Sequence, residues 1–86
     1  MTAKKIVLFW ISNQIKNRSK AFYSFDFENQ IGNYGRLAHR KVHTPSTYSR
    51  VFRAIRSSDD LERMGLRLTE IDSKGNAKGW KIEKLS

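Results

Sequence analysis

The chain has no cysteine, a single proline, few acidic residues and no long apolar run. Without cysteine there is no disulfide framework and no thiolate metal site, which fits an intracellular protein. Pro45 stands alone, and no repeat or low-complexity tract interrupts the chain, so residues 1–86 read as one domain. The longest apolar stretch, Ile6 to Ile11, falls far short of the roughly 20 residues that span a bilayer, and no membrane partner is expected. The same stretch, preceded by Lys4 and Lys5, is too short for a signal-peptide core and no small-x-small site follows it, so no leader is expected. A chain of 86 residues buries only a modest core, which leaves no room for a deep enclosed active site.

The scarcity of acid has the largest consequence. Lys and Arg number 17 against 8 Asp and Glu, a formal charge of +9. Such a chain repels itself when compact, and a polyanion would relieve the repulsion. Two Trp, three Tyr and five Phe within a hydrophobic content of 38% suffice for a packed interior, which excludes a disordered basic tail.

Residues 3 to 16 place Ile6, Val7, Trp10, Ile11 and Ile15 at spacings of three and four, the pattern of a helical face. Asn17-Arg18-Ser19-Lys20 breaks it. Ala21, Tyr23, Phe25 and Phe27 then alternate with Phe22, Ser24 and Asp26, which predicts a half-buried strand with Phe22 on its opposite side. From Glu28 to Arg40 the positions Ile31, Tyr34, Leu37 and Ala38 return to helical spacing, although Gly32 and Gly35 each weaken a helix by about 1 kcal/mol relative to Ala. Thr44-Pro45 starts a further helix with a hydroxyl at the N-cap and proline in the first turn. Its apolar stripe is Tyr48, Val51, Phe52 and Ile55, and Ser46, Ser49, Arg50, Arg53, Arg56 and Ser57 lie largely outside that stripe. Asp59-Asp60-Leu61-Glu62 has the form of a capping box, and Gly65 can stop the short turn after it. Leu66–Asp72 and Trp80–Leu85 read as two strands joined by a loose loop, Ser73 to Gly79.

The order helix, strand, helix, helix, short turn, hairpin resembles the winged-helix branch of the helix-turn-helix superfamily. The residues that carry the resemblance are the segment Ala21 to Phe27, the helix Thr44 to Arg56, and the terminal strands Leu66 to Ile71 and Trp80 to Ile82. It implies an α+β fold in which the helix after Thr44 is the recognition element and the 73–79 loop is a wing. It also implies that Lys74, Asn76 and Lys78 touch the DNA backbone or minor groove.

From Asn29 to Ser58 there is no acidic residue, while Arg36, Arg40, Lys41, Arg50, Arg53 and Arg56 fall inside, with His39 and His43. A charge run is often only a solvated helix face. Here the missing acids coincide with an N-capped helix, the shape that enters a major groove. Ser46, Thr47, Ser49, Arg50 and Arg53 are therefore the candidates for base reading, and Arg56 for a phosphate clamp. Arg36, Arg40 and Lys41 add charge at a helix C-terminus, where it also favours the helix dipole. Lys4, Lys5, Lys16, Arg18 and Lys20 could extend the phosphate footprint.

His39 and His43, four apart, could share a metal on a helix, but no cysteine and no third ligand accompany them, so neither metal nor cofactor is expected. Asp59, Asp60 and Glu62 are accounted for as caps and no phosphate loop or nucleophile motif occurs, so catalysis is not expected. The expected partner is duplex DNA, and the expected role that of a transcriptional regulator, or a replication or recombination factor, of the compact kind found in viruses and mobile elements. A homodimer through Phe9 and Trp10 would extend a short half-site. The alternative is a protein-interaction module or inhibitor docked on an acidic surface of a larger nucleic-acid-processing assembly. RNA or single-stranded DNA, stacked on a ring such as Phe22, is a third reading.

Overall fold

The first helix forms where the three-and-four spacing predicts it. In the computed structural model, which describes residues 2–16 and 20–85, α1 spans Ala3–Lys16 and buries Ala3, Ile6, Val7, Trp10 and Ile11. Arg18, expected to extend a phosphate footprint, lies outside the described residues.

The expected strand from Ala21 to Phe27 is cut short. Strand β1 is Ala21–Tyr23, and Ser24 already belongs to helix α2, Ser24–His39. The cause is local: the Asp26 carboxylate accepts the Tyr23 backbone N–H at 2.9 Å, satisfying a donor at the helix start and closing a turn that an extended chain could not make. Phe27 then joins Ile31, one turn on, in the core, and Phe22, expected on the outer side, is buried as well.

Helix α3, Pro45–Arg56, begins as its sequence dictates. The Thr44 hydroxyl accepts the Thr47 backbone N–H at 3.2 Å, and proline occupies the first turn. Tyr48, Phe52 and Ile55 are buried, with Val51 packed against them. A short helix α4, Asp60–Arg63, follows, but no capping box forms, because Asp59 makes no side-chain cap. Asp59 instead pairs with Arg63 at 3.2 Å, and the Ser58 hydroxyl donates to Asp60 at 2.6 Å.

The hairpin is longer and tighter than expected. Strands β2, Leu66–Lys74, and β3, Ala77–Lys84, leave only Gly75 and Asn76 as the turn, and Gly75 carries the positive φ of 63° that the first central residue of such a turn demands. A register irregularity between Ile71 and Lys74 absorbs the polar residues expected in a loop.

The sheet is antiparallel in the order β1-β3-β2. Phe22 faces Trp80, and Leu68 faces Ile82, on the side covered by helices. There the rings of Trp10, Phe22, Phe27, Phe52 and Trp80 meet, drawn from α1, β1, α2, α3 and β3. Phe52 is central: its ring centroid lies 4.6 Å from that of Phe27 and 5.0 Å from that of Trp80. Edge-on and offset arrangements of this kind add about 0.5–1.5 kcal/mol per pair beyond area burial. The described residues thus form a small α+β fold of four helices and a three-stranded sheet ending in a hairpin.

Candidate nucleic-acid interface

Burying Tyr48, Phe52 and Ile55 fixes which side of α3 faces outward. Ser46, Ser49, Arg50 and Arg53, at spacings of three and four, share the opposite side with Pro45 around an open concavity of about 420 Å³. All four are exposed. Among the described residues neither arginine lies within ion-pair distance of an acid. Thr47 stands apart, half-buried, with its hydroxyl 2.9 Å from that of Thr44. Its role is to close the first turn.

Arg56 is held differently. Its guanidinium carbon lies 4.8 Å from the ring centroids of both Phe52 and Trp80. Burial against the rings, and then the neighbouring Arg53 charge, pull its pKa below the ordinary arginine value, with Glu70 opposing. The side chain therefore pins the end of α3 to β3, a packing duty that the sequence pattern of a phosphate clamp did not reveal.

The hairpin cations divide between the two sides of the sheet. Alternation along β3 puts Lys78 on the side of Trp80, toward the helices, where it reaches Glu70 at 4.0 Å. Glu70 thus pairs with Lys78 in the hairpin and also favours the charged form of Arg56 at the end of α3. Lys74 turns the other way, its ammonium 5.9 Å from the centroid of the Tyr23 ring. Asn76 is exposed at the turn.

At the other end of α3 the connection from α2 supplies Arg40 and Lys41, both exposed. Arg40 adopts φ 54°, ψ 38°, the left-handed conformation, and the backbone N–H groups of Arg40 and Lys41 both donate to the Gly35 carbonyl. Arg36 is exposed and donates to Asn33 Oδ1 at 2.9 Å. Lys4, by contrast, is drawn to Asp60 at 3.1 Å.

Because α2 ends at His39, His39 and His43 do not share a helical face. The His39 ring stacks on Phe9 at 5.7 Å, and His43 meets Tyr48 edge-on. Trp10, expected to form part of a dimer surface, is 2% exposed and belongs to the core; Phe9 remains at the surface. No helix among the described residues is long and apolar enough to cross a membrane.

Tyr23 and Phe25 also depart from the pattern of the sequence. The period-two pattern put Tyr23, Phe25 and Phe27 on one buried face, whereas the structure sends only Phe27 inward. Tyr23 and Phe25 stack on each other outside the core, with centroids 5.5 Å apart and ring planes 5° from parallel. The deciding feature is Asp26, three residues after Tyr23, whose carboxylate fixes the helix start.

Compared with known protein families, curated proteins and solved structures, the chain has no significant match.

Proposed function

We propose that this protein binds duplex DNA as a winged-helix module, with α3 in the major groove and the β2–β3 hairpin as the wing. One observation carries the reading: Ser46, Ser49, Arg50 and Arg53 project together from a capped helix anchored by Phe52, with no acid near them in the chain from Asn29 to Ser58. Arginine in that position can pair bidentately with guanine O6 and N7, for about 1–3 kcal/mol of discrimination, and serine adds base or phosphate hydrogen bonds. Arg40 and Lys41 at one end and Lys78 at the other would hold phosphates. In this reading Arg56 sets the angle of α3 against the sheet and is not itself a main phosphate ligand. A regulator of transcription, or a replication or recombination factor inside the cell, is the role such a module fits.

Anisotropy titration of random-sequence duplex at several salt concentrations tests this. Affinity should fall with a log–log slope of about −0.9 per phosphate neutralised, and replacing Arg50 and Arg53 with Ala should weaken binding and reduce the slope by about 1 for each phosphate that is no longer neutralised. Absence of duplex binding at low salt, or a double variant that binds like the parent, would sink the proposal.

A protein partner is the second reading, favoured by Leu37 and Val42, which are 74% and 82% exposed at the end of α2 and just beyond it. A pull-down abolished by changing both to Ser, with duplex affinity retained, would support it.

A further inference from the structure

The side of the sheet turned away from the helices carries a site of its own. Register aligns Tyr23, Gly79 and Ile71 across the three strands on that side. Gly79 has no side chain to lift the Tyr23 ring: a Cβ there would come within 2.7 Å of the ring carbons. Tyr23 therefore lies down over the strand, and Phe25 stacks parallel on it. Phe25 contributes nothing to the ring cluster of the core and keeps 38% of its surface in solvent.

Cations flank this stack. Lys74 reaches over Tyr23, and Lys81, two residues beyond Gly79, is exposed on the same side. Two acids beside the stack already hold hydrogen bonds: Asp26 accepts the Tyr23 backbone N–H at 2.9 Å, and Glu83 accepts the Thr69 hydroxyl at 2.6 Å; Glu28 and Asp72 are exposed nearby in the chain. Parallel rings, one of them 38% exposed, bordered by lysines on a chain of charge +9, match the chemistry of unpaired bases joined by phosphates. A duplex, whose bases are already stacked and paired, offers nothing to such a platform.

We infer that the Tyr23–Phe25 stack binds single-stranded DNA, with a base on Phe25 and neighbouring phosphates on Lys74 and Lys81. The site uses none of the α3 residues and stands on the opposite side of the sheet from them, so it holds whether or not α3 reads duplex. If both sites operate, a duplex with an unpaired tail binds more tightly than either part alone.

The test is titration of the full chain with a single-stranded oligodeoxynucleotide of about 15 residues carrying 2-aminopurine, whose emission is quenched by stacking. The parent should bind and quench. Phe25→Ala should bind this probe about tenfold more weakly or worse, with quenching abolished, while its affinity for blunt duplex stays within about twofold. Replacing Lys74 and Lys81 with Ala should lower the salt slope by about 0.7 for each phosphate released. The Arg50, Arg53 double variant should keep its single-strand affinity, which separates failure of this site from failure of the duplex site. Phe25→Ala folded by circular dichroism yet equal to the parent in affinity and quenching would overturn the inference. Binding to the RNA of the same sequence more than about tenfold tighter would overturn the assignment to DNA.

Discussion

The hydroxyl of Tyr48 occupies the space in which a side chain at position 35 would begin. Gly35 in α2 and Tyr48 in α3 touch because one has no Cβ and the other extends a full ring toward it. The Tyr48 oxygen is buried without a hydrogen-bond partner among the described residues, and burial pushes its pKa above the ordinary tyrosine value. Gly35→Ala should accordingly destabilise the fold by about 1–3 kcal/mol, the usual cost of overpacking. Gly32, three residues earlier, has nothing within 4 Å of its would-be Cβ, and Gly32→Ala should stabilise by up to about 1 kcal/mol. Urea denaturation of both variants measures the contrast in sign.

Arg40 holds a left-handed conformation in which a Cβ is disfavoured by roughly 1–2 kcal/mol. Arg40→Gly should raise stability by about 1 kcal/mol, seen as a higher melting temperature. The same change removes a cation next to α3, so affinity for duplex should drop as stability rises. A variant in which both fall would assign the backbone conformation to another cause.

Arg56→Ala should cost about 1–2 kcal/mol of stability, because the guanidinium would no longer cover Phe52 and Trp80. Arg50→Ala, on the open side of the same helix, should change stability by less than about 0.5 kcal/mol. Parallel thermal melts decide whether Arg56 belongs to the scaffold or to the binding surface.

At Asp60 the Ser58 hydroxyl, and then Lys4, hold the carboxyl below the usual carboxylate range. A depressed folded pKa means that the folded state takes up this proton less readily than the unfolded chain. The resulting stability is present above the unfolded value of about 3.9 and disappears as pH falls through the lower folded value. Denaturation midpoints measured from about pH 6 down to pH 2 should fall less steeply for Asp60→Asn than for the parent.

How far the sequence can be read depends on how local the deciding interaction is. Helices α1 and α3 were legible because each repeats an apolar side every three or four residues, and Thr44-Pro45 marks a start that needs no partner. The outward placement of Ser46, Ser49, Arg50 and Arg53 follows from the same periodicity. The segment from Phe22 to Phe27 was misleading because its alternating side chains satisfy a strand pattern, while one carboxylate bond from Asp26 turns them into a helix. Phe22 could be placed inside only by knowing that Trp80, far along the chain, lies directly across from it. Arg56 looked like its neighbours Arg50 and Arg53 in one dimension; the rings that claim it belong partly to another element.

The meeting of Trp10, Phe22, Phe27, Phe52 and Trp80 at one point has a consequence for how this protein comes apart. The elements that donate these rings share a single nucleus, so none can detach without exposing the others, and unfolding should be all-or-none. In native-state hydrogen exchange, the slowest amides of α1, α3 and the middle of β3 should open together at the global free energy. Those of the hairpin beyond Ile71, which have no share in that nucleus, should exchange well before them.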